Sequence, residues 1–160
     1  MRENILLVAN SGFTIINFRS EFITDLQDKG FWVYVACPED LGLMNGINPQ
    51  DEIKKLGAIF LPIKLIRNGL NPFNELISVI SIFKALHAAK PKIVVNYTIK
   101  PTIYSSLACK ILRIKEVFSN ITGIGYVFTS MSFKSKLISA LIRIQYRLAL
   151  GSNKKVFFQN

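Results

Sequence analysis

The sequence predicts an α/β fold with a doubly wound parallel sheet. Short apolar runs, such as residues 93–95 (IVV) and 117–119 (VFS), are typical of strands that are buried on both faces, as in a parallel sheet. These runs alternate with longer segments of helical pattern, which supply the right-handed crossovers that parallel strands need. Polar or glycine-rich residues directly follow several of the runs, at the position where open α/β sheets bind their ligands.

Local signals set the elements in the first half of the chain. An unbroken apolar run forms the first strand, and Gly30 ends a helix whose apolar side chains share one face. Pro38 stops the second strand, and Gly57 ends a short helix before the third strand. In order, these elements are a strand at 4–9, a helix at 17–29, a strand at 31–37, a helix at 50–56 and a strand at 58–63.

Proline positions set the elements in the second half. Asn71 and Pro72 open a helix in the preferred way, with a capping asparagine and a proline at the first helical position. Pro101 is predicted to start the helix that follows the fourth strand. In order, these elements are a helix at 72–89, a strand at 93–96, a helix at 101–112, a strand at 117–120, a helix at 133–150 and a strand at 155–159.

Six strands with helices between them predict the strand order 3-2-1-4-5-6. Strands one and four are then neighbours at the switch point of the sheet. The loops at 10–17 and 96–101 face each other across one crevice, and the loop at 122–126 lies beside them. Because a sheet of this kind rarely ends on a strand without its following loop, the pattern also predicts that this domain is part of a longer protein.

The positive charge of the chain is concentrated in its second half. The 160 residues carry a net charge of +10, of which residues 1–75 contribute −2 from 7 Lys/Arg and 9 Asp/Glu. Residues 76–160 contribute +12 from 13 Lys/Arg and one acid, Glu116. Such an asymmetry indicates an anionic partner, which is a nucleic acid, a phosphorylated ligand or an anionic membrane surface. Solvated helix faces are the alternative explanation.

The helix at 133–150 is basic and amphipathic. Lys136, Arg143 and Arg147 share one face and are predicted to face a membrane, while aliphatic side chains form another face. The alternative is a helix that packs its apolar face in the core and leaves its basic face in water. No apolar run approaches the roughly 18 residues that span a bilayer. The apolar run at 5–9 is too short for a secretory signal, so a cytoplasmic location is predicted.

The sequence lacks the residues that several common nucleotide-binding, catalytic and metal sites require. The first loop, 10–14 (NSGFT), is not a dinucleotide fingerprint, and no P-loop pattern occurs. His87 is the only histidine and falls inside a predicted helix, which excludes a Ser/His/Asp set at the strand ends. No spacing of Cys, His or carboxylates predicts a metal site. Cys37 and Cys109 are predicted to be small core residues.

Polar residues after the fourth and fifth strands are candidate ligand groups. Lys100 offers a cation to a phosphate or pyrophosphate, with Thr98 beside it. The alternative is a helix N-terminus that Thr98 caps, with Lys100 in solvent. Gly123 and Gly125 form either a flexible loop whose backbone approaches a substrate or a simple tight turn. Gly12 allows a similarly close backbone approach at the start of the first helix.

Four motifs carry a resemblance to a known family. They are residues 17–19 (NFR), 69–72 (GLNP), 96–101 (NYTIKP) and 120–128 (NITGIGYVF). Together they resemble the N-terminal domain of a family 4 glycosyltransferase of the GT-B architecture, and the resemblance covers essentially the whole chain. The similarity is greatest to bacterial enzymes that build capsular, O-antigen or similar surface polysaccharides on a polyprenyl-diphosphate carrier.

The resemblance implies two Rossmann-like domains with a cleft between them, of which this chain is the N-terminal, acceptor-side half. The absent C-terminal domain would bind the nucleotide-diphosphate sugar, so the fragment alone is expected to be inactive. Related enzymes retain the anomeric configuration and need no metal or other cofactor. Many also carry a cleft histidine near the end of strand four. This chain has 96–98 (NYT) there, so no catalytic base is identified.

The resemblance also implies substrate-binding residues in the first half of the chain. Gly12 and Phe13 would line the cleft beneath the phosphates of the donor. Asn17 and Arg19 would lie at the acceptor side of the first helix.

Five further residues complete the implied substrate site. Thr98 and Lys100 would face the acceptor or its diphosphate. Gly123, Gly125 and Tyr126 would shape the wall of the cleft.

The leading expectation is therefore sugar transfer onto a lipid-linked saccharide at the inner face of the cell membrane. The basic second half would contact anionic lipid and the diphosphate of the carrier, and no nucleic acid is expected as a partner. Two alternatives stay open at this point. One is a non-catalytic subunit of a split glycosyltransferase, and the other is a basic α/β module that binds nucleic acid.

Overall fold

A six-stranded, all-parallel sheet forms the centre of the domain. The computed structural model describes residues 2–39, 46–66, 71–122 and 133–159. The sheet has the order β3-β2-β1-β4-β5-β6, which confirms the predicted topology. Its strands are β1 (Asn4–Val8), β2 (Trp32–Cys37), β3 (Ile59–Pro62), β4 (Ile93–Tyr97), β5 (Glu116–Ile121) and β6 (Lys155–Phe158).

Helices cover both faces of the sheet. They are α1 (Gly12–Asp28), α2 (Pro49–Lys55), α3 (Pro72–Ala89), α4 (Ile99–Ile111) and α5 (Phe133–Leu150). Successive side chains of β1 point to opposite faces, so Leu7 packs with α1 and α2, whereas Leu6 packs with α3 and α4. Both leucines are fully buried. The helix α5 lies against α4.

Two helices begin earlier than the sequence predicts. The helix α1 starts at Gly12 rather than Asn17, so most of the expected first loop is helical. Its first turns pack Ile15 into the core, which outweighs the loop-like composition of residues 10–14. The helix α4 starts at Ile99 rather than Pro101. A proline is tolerated there because the first turn of a helix has no acceptor for its backbone N–H groups.

Both cysteines are buried thiols, as the sequence predicts. Cys37 lies in the core between the sheet and the layer of α1 and α2, and Cys109 lies in the opposite layer. Burial raises the pKa of the Cys109 thiol to about 12, while a contact with Ser105 partly opposes this. The Cys109 thiol is therefore protonated at neutral pH, as expected of a packing residue.

Candidate functional site

A crevice opens at the carboxyl ends of the central strands, where α1 meets β4 and β5. It has a volume of about 290 Å³. Its walls come from four elements that are distant in sequence, because the switch in strand order places the ends of β1 and β4 side by side. The lining residues are Thr14, Ile15, Phe18, Arg19, Tyr97, Thr98, Thr122 and Gln159.

Arg19 and Tyr97 form the central contact of this crevice. The guanidinium carbon of Arg19 lies 4.7 Å from the centroid of the Tyr97 ring, within the range of a cation–π interaction. The same guanidinium donates to the carbonyl of Phe18 at 2.7 Å. Burial raises the pKa of the Tyr97 hydroxyl, and the nearby Arg19 charge opposes that rise. A protonated hydroxyl and an oriented guanidinium therefore face the crevice as hydrogen-bond donors.

Thr98 holds a backbone conformation that threonine rarely adopts. Its φ is 72° and its ψ is 175°, a region populated almost entirely by glycine. Two backbone bonds fix it there, because Thr98 donates to the carbonyl of Asn120 at 3.1 Å and accepts from the N–H of Thr102 at 3.2 Å. Thr98 occupies the N-cap position of α4, but its side chain makes no capping bond, so the alternative of a side-chain cap is not observed. Strain of this kind concentrates at functional sites.

Replacing Thr98 by glycine tests whether this strain serves the crevice. The Thr98→Gly variant is expected to unfold at higher denaturant concentration, with a gain of about 1 kcal/mol, because glycine adopts this φ and ψ without a steric penalty. The matched control is Thr102→Gly, which lies within α4 and is expected to lose stability. An equal loss of stability in both variants would show that Thr98 is not strained.

Several buried polar atoms near the carboxyl ends of the central strands have no hydrogen-bond partner. Among the residues that the structure describes, five such atoms belong to side chains at or just beyond the ends of β1, β4 and β5, and a sixth belongs to Thr102 in α4. Thr98 is the one of these six residues that lines the crevice. Each unpaired buried polar group costs about 1–3 kcal/mol, so a bound ligand or water that hydrogen-bonded to these atoms would stabilise this region. The atoms are Asn10 Oδ1, Ser11 Oγ, Asn96 Oδ1, Thr98 Oγ1, Thr102 Oγ1 and Asn120 Oδ1.

Several of these polar residues were not predicted as site residues. Asn10 and Asn120 directly follow or end an apolar run, so the rule that selected Thr98 would also have found them. Asn96 is fully buried, and its amide nitrogen lies 3.3 Å from Ser106 Oγ and 3.2 Å from Ser119 Oγ. Asn96 directly follows the apolar run at 93–95, so the same rule would also have found it, although its partners in α4 and β5 could not be predicted.

Lys100 is held in a half-buried ion pair rather than pointing into water. Its amine lies 2.6 Å from Glu75 Oε1 and also donates to the carbonyl of Ile66 at 2.8 Å. The hydroxyl of Tyr104 donates to the other carboxylate oxygen of Glu75. Burial raises the pKa of Tyr104, and the bond to Glu75 adds to this. The cluster of Glu75, Lys100 and Tyr104 therefore ties the first turn of α3 to that of α4.

Removing the Lys100 charge is expected to destabilise the fold. The Lys100→Met variant leaves Glu75 in a largely buried place without its cation, at a cost of about 1–2 kcal/mol. Adding Glu75→Gln should recover part of this loss, which a double-mutant cycle in urea measures. The matched control, Lys55→Met, breaks an exposed pair with Glu52 and should change stability little. No coupling between Lys100 and Glu75 would contradict the assignment.

Of the predicted site residues on α1, Arg19 lines the crevice, whereas Gly12, Phe13 and Asn17 are not among its lining residues. Gly12 is buried at the start of α1, with Pro49 packed where a side chain would stand. Phe13 is 40% exposed, and its ring meets Phe18 edge to face at a centroid distance of 6.3 Å. Asn17 donates to the carbonyl of Phe13 at 2.9 Å within the same helix.

The remaining predicted site residues divide into two groups. Gly123, Gly125 and Tyr126 lie outside the described residues, as does the side chain of Lys136. Arg143 and Arg147 are exposed on α5.

The outer face of α5 is more mixed than the sequence predicts. Ile144 and Leu148 are 58% and 56% exposed beside Arg143 and Arg147. The basic and apolar side chains therefore share the outer face at these positions, instead of dividing into a solvated face and a core face.

Neither a metal cluster nor a membrane-spanning helix stands out in the described part of the chain. No group of three or more His, Cys, Asp and Glu side chains is placed to hold a metal ion there. His87 is exposed on α3, away from the crevice. None of the described helices combines the length and the apolar character that crossing a bilayer requires.

Comparison with known proteins identifies a family whose sequence profile matches nearly the whole chain. The sequence profile of the family described as "Glycosyl transferase 4-like" matches residues 4–160. A Campylobacter jejuni protein is 24% identical over 153 residues. It is named N,N'-diacetylbacillosaminyl-diphospho-undecaprenol alpha-1,3-N-acetylgalactosaminyltransferase. The match covers 96% of this chain but 39% of that protein, so the chain spans well under half of this relative.

Solved structures share the fold at low sequence identity. A UDP-N-acetylglucosamine 2-epimerase superimposes with a TM-score of 0.64 and 13% identity, covering 99% of this chain and 42% of that one. MurG from Acinetobacter baumannii superimposes with a TM-score of 0.53 and 17% identity, covering 74% of this chain and 34% of that one. These structures confirm the Rossmann-like architecture that the sequence predicts.

Proposed function

Because the chain belongs to the glycosyl transferase 4-like family, we propose that it forms the acceptor-side half of a glycosyltransferase. The complete enzyme would move a sugar from a nucleotide-diphosphate sugar to a saccharide linked to polyprenyl diphosphate. The observation that supports this most directly is the crevice at the switch point. It combines the strained backbone of Thr98 with the oriented guanidinium of Arg19, and further unpaired buried polar atoms lie near the same ends of the strands.

The chemistry of the crevice suits a saccharide that carries a phosphate. Hydroxyl and amide groups line it, and the rings of Phe18 and Tyr97 offer apolar faces of the kind that pack against sugar rings. Arg19 supplies a cation for a nearby phosphate oxygen. Lys100 would hold the wall beside the crevice through Glu75, and only a rearrangement of that pair would bring its amine to the diphosphate.

The C. jejuni relative supports the class of acceptor. Its name specifies a saccharide joined to undecaprenol through a diphosphate. We carry this class over as a proposal, without the particular sugars in that name. Synthesis of a capsule, an O-antigen or a similar surface polysaccharide is the process in which such an acceptor would be extended. Retention of the anomeric configuration, without a metal or other cofactor, completes the proposal.

A second domain would bind the donor. Rossmann-like domains of this family work in pairs, and this chain matches 39% of the length of its relative. We propose that residues 1–160 contribute the acceptor wall, while the nucleotide-diphosphate sugar binds mainly to the other domain. The chain alone is then expected to bind acceptor without transferring sugar.

A peripheral position at the inner face of the cell membrane follows from a lipid-linked acceptor. Arg143 and Arg147 are exposed on α5 and would meet anionic headgroups, and Lys136 lies on the same helix. This contact would be mainly electrostatic and would weaken as salt screens the charges.

Transfer assays distinguish this proposal from its alternatives. The full-length protein is mixed with a nucleotide-diphosphate sugar and an undecaprenyl-diphosphate saccharide, and the lipid product is analysed by mass spectrometry. A mass increase of one sugar supports the proposal. No transfer with any donor tested, together with steeply salt-dependent binding to DNA or RNA, would favour the nucleic-acid module. Transfer that appears only when a second polypeptide is added would favour the split enzyme.

A further inference from the structure

An exposed apolar stripe runs along the outer side of α3. Phe73 is 77% exposed, Leu76 57%, Ile77 47% and Ile80 46%. Their spacing of three, four and seven residues places them on one side of the helix. This stripe, residues 73, 76, 77 and 80, is separate from the crevice and from the basic face of α5.

The inner side of α3 is also apolar, so the stripe is not a core face turned outward. Ile82, Ala85, Leu86 and Ala89 are buried against the sheet and α4. The helix α3 therefore carries apolar side chains on two sides, in addition to polar ones such as Glu75 and Lys84. In this chain only one side is covered within the described residues, and the stripe is a candidate contact surface.

The surroundings of the stripe are basic. Lys84 and Lys64 line a groove of about 630 Å³ together with Ile77 and Ile80, and Glu39 is the acid in that groove. Lys90 is exposed at the end of α3. The acid of α3 itself, Glu75, is paired with Lys100. Apolar side chains with lysines at their margin match an anionic bilayer surface, into which such helices insert their apolar side.

We propose that the stripe on α3 inserts into the interface of an anionic lipid bilayer. The inference rests on the proposed function for its setting, because a lipid-linked acceptor brings the enzyme to a membrane. It goes beyond that function in assigning the apolar part of the contact to α3. The lysines beside the stripe attract the headgroups, while Phe73, Leu76, Ile77 and Ile80 enter the acyl boundary. The contribution of α3 should therefore persist in salt that screens the arginines of α5.

Vesicle binding tests this inference without any enzymatic activity. The purified protein is sedimented with phosphatidylcholine vesicles that contain or lack phosphatidylglycerol, at low and high salt. The Phe73→Ser/Leu76→Ser variant is expected to lower the partition coefficient at least about tenfold at both salt concentrations. The matched control is Ile111→Ser, which removes a 71% exposed side chain at the end of α4 and should leave partitioning near that of the wild type.

A conservative variant keeps the test valid if the double variant does not fold. Phe73→Trp is made in a Trp32→Phe background, so that one tryptophan reports on the stripe. Addition of anionic vesicles should shift its emission to the blue, and brominated lipids should quench it. Unchanged emission would overturn the inference, and so would an equal loss of binding in Ile111→Ser.

Two further outcomes would also overturn it. One is a wild-type protein that forms a dimer and does not bind vesicles, together with a double variant that is monomeric. A second copy of the chain would then cover the stripe. The other is equal binding of the wild type and the double variant to anionic vesicles at both salt concentrations. Failure of the proposed function is a separate result, because a protein without transferase activity would still insert its stripe.

Discussion

The Gly12→Ala substitution is expected to destabilise the protein by about 2–3 kcal/mol, although alanine normally favours a helix over glycine. The added Cβ would lie 2.5 Å from Pro49 Cβ and 2.9 Å from Pro49 Cγ, far inside van der Waals contact. The proline ring is rigid and opens α2, so the strain must move one helix end relative to the other. Urea unfolding of wild type and variant measures the loss.

A double-mutant cycle identifies the cause of that loss. Pro49→Gly removes the atoms that clash and carries its own cost, which the cycle subtracts. In the Pro49→Gly background, Gly12→Ala should cost little or should stabilise α1. The same penalty in both backgrounds would show that Pro49 is not the obstacle.

The Arg19→Ala substitution is expected to reduce transferase activity of the full-length enzyme at least tenfold, which corresponds to about 1.4 kcal/mol of transition-state stabilisation. Arg19 is the cation among the residues that line the crevice, its guanidinium lies over the Tyr97 ring, and under the proposed function it would bind a phosphate of the acceptor. Steady-state kinetics with the lipid-linked acceptor give kcat/KM. Circular dichroism and an unchanged unfolding midpoint show that the fold is retained.

Arg2→Ala is the matched control for Arg19→Ala. The guanidinium carbon of Arg2 lies 5.2 Å from the centroid of the Trp32 ring. Arg2 therefore makes the same kind of contact, but at the amino-terminal ends of β1 and β2. This variant loses a charge and a cation–π contact without touching the crevice. Equal kinetics for wild type and Arg19→Ala would remove Arg19 from the site.

The sheet topology could be predicted from sequence because it depends on patterns that repeat. Apolar runs, helical segments and handed crossovers leave few arrangements of six parallel strands, and the observed order is the expected one. The start of α1 could not be read in the same way. Polar and small residues at 10–14 are typical of a loop, and the burial of Ile15 that draws them into the helix depends on the assembled core.

The sequence predicts a crevice at the ends of the strands, which the structure shows, but not the contacts within it. Strand ends identify Thr98 as a crevice residue, yet nothing in the sequence states that its φ is positive. The partner of Lys100 is Glu75, which precedes it by 25 residues and meets it only because α3 and α4 are neighbours. Local pattern therefore locates a site, whereas long-range contacts decide which of its charges face a ligand.

The cluster of Glu75, Lys100 and Tyr104 has a mechanical consequence for the proposed membrane contact. It fastens the start of the helix that bears the apolar stripe to the start of the helix that follows Thr98. Because a partly buried, hydrogen-bonded ion pair keeps its distance during small motions, the two helix ends move as one rigid unit. With the stripe inserted in lipid, this unit would hold the crevice at a fixed height above the bilayer. The enzyme would then select acceptors by the distance between their reactive sugar and the membrane.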